Sequence, residues 1–70
     1  MPEQALELTI NGERQRVVAA TLDGALIELG FGAVKVATAL NGDFVPARRR
    51  AGVLLKAGDR IEIVTARQGG

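Results

Sequence analysis

Gly69 and Gly70 stand side by side at the end of the sequence, behind Ala66-Arg67-Gln68, where they cap no helix and close no turn. One reading is a frayed chain end, since termini order poorly unless something ties them down. The other is an end made to be threaded: glycine has no Cβ, so its backbone can pass close to both walls of a narrow channel. Such a channel would reach the terminal carboxylate. A carboxylate is a poor electrophile until one of its oxygens becomes a leaving group. Joining it to AMP achieves that, and a nucleophile can then displace AMP from the acyl carbon. On this reading Gly70 is the point of attachment, and Gly69, Gln68 and Arg67 are the threaded lead.

The rest of the sequence offers little else that could do chemistry. With no Cys there is no disulfide, thiolate nucleophile or zinc-thiolate site, and with no His the usual general base and the commonest metal ligand are missing. The side-chain hydroxyls are Thr9, Thr21, Thr38 and Thr65. Autonomous catalysis and a metal site are therefore not expected. Gly30-Phe31-Gly32 and the scattered glycines match neither phosphate-cradling pattern, so no cofactor is expected to be bound, and ATP would be used by an activating partner.

Charge is unevenly spread. Residues 1–40 carry three cations (Arg14, Arg16, Lys35) against five acids (Glu3, Glu7, Glu13, Asp23, Glu28), while residues 41–70 carry six cations against Asp43, Asp59 and Glu62. The halves are thus −2 and +3. That polarity suits docking to an acidic partner and falls far short of a nucleic-acid footprint. No apolar run is long enough to span a membrane, and MPEQALELTI lacks a secretory signal's basic start and long apolar stretch. The expectation is a cytoplasmic protein with neither nucleic-acid nor membrane partners.

These residues need a scaffold. At 47% hydrophobic and 24% charged, the 70 residues can build one small core, and with only Phe31 and Phe44 as aromatics it must be made of Val, Leu, Ile and Ala. Residues 5–10 alternate, with Leu6, Leu8 and Ile10 on one face, as in a half-buried strand. Asn11-Gly12 then predicts a tight hairpin, and residues 14–20 a returning strand in which only one of Val17 and Val18 can face the core. Thr21 can cap a helix of about two turns with Leu22, Leu26, Ile27 and Leu29 as its buried stripe; Gly30 stops it and Phe31 seals its end. Gly24 weakens that helix, so packing must hold it. Residues 33–40 form a third strand with Val34, Val36, Thr38 and Leu40 inward and Lys35, Ala37 and Ala39 outward. Asn41-Gly42 is a second turn of the same kind, leading to a short strand that Pro46 ends. Residues 47–58 read as irregular, and residues 60–65 alternate Ile61 and Ile63 inward against Glu62 and Val64.

With a right-handed crossover through the helix, the first and last strands can pair in parallel at the sheet centre. The fold class is α+β: a ubiquitin-like β-grasp roll, a mixed sheet of four to five strands covered on one face by a short helix. Residues 1–66 form the domain and 67–70 a flexible tail.

Val-Ala-Thr-Ala-Leu-Asn-Gly-Asp-Phe-Val-Pro (36–46), Leu-Leu-Lys-Ala-Gly-Asp-Arg-Ile-Glu-Ile-Val (54–64) and the final Gly-Gly closely resemble the ThiS family of sulfur carriers in thiamine biosynthesis. The resemblance spans nearly the whole chain. Where such carriers often have Arg directly after Val-Pro, Ala47 intervenes here before Arg48-Arg49-Arg50. The resemblance implies a carrier acted on by other enzymes. An E1-like enzyme would adenylate Gly70, a cysteine desulfurase route would supply sulfur to form a thiocarboxylate, and thiazole synthase would take that sulfur into the thiazole ring. A chain without thiols cannot hold sulfur as a persulfide, which agrees with a terminal carrier site. Other readings are a sulfur carrier for molybdopterin or cysteine synthesis, a ubiquitin-like modifier joined to lysines, and a plain β-grasp binding module.

Two surface features complete the expectation. Val64 and Glu62, beside Ala37, Ala39 and Lys35, would make a flat partner-docking patch near the root of the tail. Arg48-Arg49-Arg50 reads either as a solvated loop or as a steering element for an acidic rim on a partner.

Overall fold

The alternation of residues 5–10 becomes β1 (Leu6–Ile10), with Leu8 and Ile10 buried. The computed structural model describes residues 5–65, continuing through β2 (Glu13–Val17), α1 (Leu22–Glu28), β3 (Val36–Leu40), β4 (Asp43–Val45), a 3₁₀ helix (Ala47–Gly52) and β5 (Arg60–Thr65). The five strands form one sheet in the order β2-β1-β5-β3-β4. β1 and β5 pair in parallel, with Ile10 opposite Ile61, and the other neighbours are antiparallel. The helix covers one face, so the architecture is the expected α+β β-grasp roll.

Both hairpins turn as their Asn-Gly pairs predict. Asn11 and Gly12 have φ of 52° and 86°, and Asn41 and Gly42 of 51° and 91°, the left-handed pairs that match the twist of the flanking strands. The core between sheet and helix is built from Leu8, Ile10, Val17, Val45, Ile61 and Ile63 against Leu22, Ala25 and Leu26, with Leu55 closing it. Thr38 is buried among them at 2% exposure. Its hydroxyl donates to the Val45 carbonyl at 2.9 Å and accepts from Arg50 Nε at 3.0 Å, which removes the cost of burying it unpaired.

The helix begins where Thr21 Oγ1 accepts the Gly24 N–H at 3.1 Å. It ends in a reciprocal cap, the Phe31 N–H donating to Leu26 O at 2.7 Å and the Gly30 N–H to Ile27 O at 3.1 Å. Phe31 then packs on the core, as expected. Gly24 has a packing reason: a Cβ there would lie 3.0 Å from Ala19 Cβ and 3.3 Å from Thr21 Oγ1.

Four local expectations are corrected. Ile27 is 61% exposed and does not belong to the buried stripe. At about 100° per residue, Leu22, Ala25, Leu26 and Leu29 share one arc and Ile27 falls on the opposite side. The second strand stops at Val17, which is fully buried, leaving Val18 half exposed. Beyond it the Glu28 carboxylate accepts the N–H groups of Val18 and Ala19 at 2.9–3.0 Å, turning the chain under the sheet towards α1. The third strand starts at Val36, and Val34 is 45% exposed because its N–H closes a turn onto Phe31 O. Residues 47–52 are a 3₁₀ helix rather than irregular, entered through Pro46 at φ −68°.

Candidate functional site

The strand that leads to the C-terminal glycines lies at the middle of the sheet, between β1 and β3. Each hairpin lends it an asparagine. Asn11 Oδ1 accepts the Ile63 N–H at 2.8 Å while its Nδ2 donates to Ile63 O at 3.0 Å, so the side chain continues the parallel ladder past the end of β1. At the other end Asn41 Oδ1 accepts the Arg60 N–H at 2.9 Å, and Asn41 Nδ2 donates to Asp59 Oδ1 at 3.1 Å. Asp59 is itself buried, and its second oxygen accepts the Lys56 N–H at 2.8 Å. β5 is thus gripped at its first and fourth residues by side chains as well as by its neighbours.

The residues that the sequence reading grouped into a docking patch lie on the face of the sheet turned away from the helix. Val64 is 64% exposed and sits directly opposite Ala37, while Glu62 sits opposite Ala39. Those four come together. Lys35 is exposed but precedes β3, at the rim of the patch rather than within it. The structure adds Phe44, opposite Ala39 on the other side and 69% exposed, so an aromatic residue flanks Ala39. Sequence reasoning missed it, although the phase was available: with Val45 inward before Pro46, Phe44 must point outward. Towards β2 the same face turns polar, with Arg14 and Glu7 3.9 Å apart and both well exposed. An ion pair so solvated contributes little.

The three arginines separate. Arg48 and Arg49 are exposed, as either reading of the run requires. Arg50 is not a solvated loop residue: besides its bond to Thr38, its Nη2 donates to Val36 O at 2.7 Å. β4 is too short to reach Val36, and the guanidinium takes the place its backbone would have filled. No sequence periodicity announces such a bond.

Gly70, Gly69, Gln68 and Arg67 lie outside the described residues. Among the described residues no group of acidic side chains is arranged to hold a metal ion, no buried polar side-chain atom lacks a partner, and no helix is long and apolar enough to cross a membrane.

No curated protein matches the sequence. Among solved structures it is similar to the crystal structure of a thiamine biosynthesis protein (ThiS) from Geobacter metallireducens, at 28% identity and a TM-score of 0.75, covering 93% of this chain and 100% of that one. The sequence also matches the ThiS family over residues 8–70, from the middle of β1 through the final glycines. The chain, in sequence and in fold, belongs to the ThiS family.

Proposed function

We propose that this protein carries sulfur for building the thiazole ring of thiamine, as a thiocarboxylate at Gly70. The observation that carries the reading is the family match through residue 70, which takes in the Gly69-Gly70 pair. The similarity to a protein of thiamine biosynthesis supports the pathway.

The chemistry follows from the carboxylate. In an E1-like partner, an oxygen of the Gly70 carboxylate attacks the α-phosphorus of ATP and pyrophosphate leaves, giving an acyl adenylate. The outer sulfur of a persulfide drawn from a cysteine desulfurase route then attacks the acyl carbon and AMP departs, giving an acyl disulfide. A second thiol of the partner system attacks the sulfur of the partner cysteine that bore the persulfide, so that a protein disulfide forms and the thiocarboxylate leaves. The resulting thiocarboxylate gives its sulfur to the ring built by thiazole synthase, and water restores the carboxylate. This chain supplies the scaffold. Arg67, Gln68 and Gly69 thread the partner's channel, while Val64, Glu62, Ala37 and Ala39, with Phe44 beside them and Lys35 at the rim, present a flat face to it. ATP is consumed in the partner's site, and the carrier binds no cofactor.

The test is the intact mass of the protein after incubation with ATP, an E1-like enzyme and a sulfide source. The expected product has one oxygen replaced by sulfur, localised to Gly70 by fragmentation. Adducts on target lysines with no such exchange would instead identify a protein modifier.

A further inference from the structure

Residues 29–42 and 44–58 contain five cations (Lys35, Arg48, Arg49, Arg50, Lys56) and no acid. Arg50 is committed to the Val36 carbonyl and Thr38, and that bond decides where its neighbours stand. Val36 is the register partner of Thr65, the last residue of β5. The 3₁₀ helix is therefore fastened at the end of the sheet from which residues 66–70 continue, two strand spacings or about 10 Å to one side. β4 runs towards the same end, with Val45 opposite Thr38 and the 3₁₀ helix beginning two residues later. Arg48 and Arg49 are exposed there, and Lys35, also exposed, immediately precedes Val36. Lys56 stands at the other end, in the turn whose Gly58 N–H donates to Glu7 O.

We propose that Lys35, Arg48 and Arg49 form a cationic collar beside the tail root, and that it draws in the adenylating enzyme through an acidic rim around the mouth of that enzyme's tail channel. The proposal rests on the carrier reading above. Five residues follow Thr65, and five extended residues span at most about 17 Å. An enzyme that activates Gly70 must bring its channel mouth against this end of the sheet. The collar then faces the rim, while the nucleotide phosphates lie at the far end of the threaded tail. Charges at a rim act on encounter, are screened by salt beyond about 10 Å at 0.1 M, and leave the chemical step alone. Arg50 thus aligns the collar without joining it.

The experiment measures adenylation by the E1-like enzyme, as pyrophosphate release, across a range of NaCl concentrations. It compares the wild type with Arg48→Gln/Arg49→Gln and with Arg16→Gln/Lys56→Gln, which removes the same charge away from the tail root. The collar variant is expected to lower kcat/KM roughly five- to tenfold at low ionic strength, with kcat unchanged and the difference vanishing in high salt. The control variant is expected to follow the wild type closely. Adenylation of the wild type at Gly70 with an unaltered salt slope in the collar variant overturns the collar alone, as does an equal loss in the control. Failure of the wild type to be adenylated overturns the carrier reading and the collar with it.

Discussion

Replacing Asn11 isolates the contribution of the asparagine grip on β5. Its side chain makes two hydrogen bonds to the backbone of Ile63, at 2.8 and 3.0 Å, in a partly buried setting and across 52 residues of sequence. A net hydrogen bond of this kind is worth about 0.5–1.5 kcal/mol, and water can reach part of the site, so Asn11→Gly should cost about 1–2 kcal/mol. Glycine keeps the φ of 52° available, which confines the loss to the side chain. Asn11→Ala adds the left-handed penalty and should cost about 1–2 kcal/mol more. For a domain of this size, each kcal/mol lowers the midpoint of thermal unfolding by roughly 4–8 °C. Calorimetry on the two variants measures the totals, and hydrogen exchange at the Ile63 amide locates them. An Asn11→Gly protein that melts with the wild type, its Ile63 amide equally protected, would show that the ladder alone holds β5 and would refute the reasoning.

Three further outcomes can be checked. Glu28→Gln leaves a single acceptor for the two N–H groups of Val18 and Ala19 that the carboxylate now receives, and should cost about 1 kcal/mol in urea unfolding; an unchanged midpoint would count against that bridge. Gly24→Ala ought to gain about 1 kcal/mol of helix propensity, but the new Cβ would meet Ala19 Cβ at 3.0 Å, so no gain in melting temperature is expected and a clear gain would show that Ala19 yields. Val64→Asp places a carboxylate on the exposed face opposite Ala37; it should weaken binding to the adenylating enzyme at least tenfold while the circular dichroism spectrum stays native, and unimpaired binding would remove Val64 from the docking face.

The frame was legible where local rules act alone. Alternation in residues 5–10 and 60–65, the two Asn-Gly pairs and the Thr21 cap all express preferences of a few adjacent residues, and the structure follows them. The errors occur where a tertiary partner overrules the local pattern. Val17 and Val18 are equivalent in sequence until Glu28 takes the Val18 amide, and Val34 fits the strand alternation but is spent in the turn from Phe31. Arg50 looks like its two neighbours until Val36 is seen to lack a strand beside it. Of the residues proposed for the docking patch, Val64, Glu62, Ala37 and Ala39 were readable on one face because strand phase alone brings them there. The outward phase of Phe44 was readable too, but its place beside Ala39 needed the pairing of β4 with β3.

The central position of β5 has a bearing on biosynthesis. Among the described strands, the last in chain order is the one that joins the two hairpins of the sheet, so a nascent chain that has not yet released residues 60–65 from the ribosome holds two hairpins with no backbone ladder between them. Prematurely terminated products are consequently left with exposed apolar surface, open to proteases.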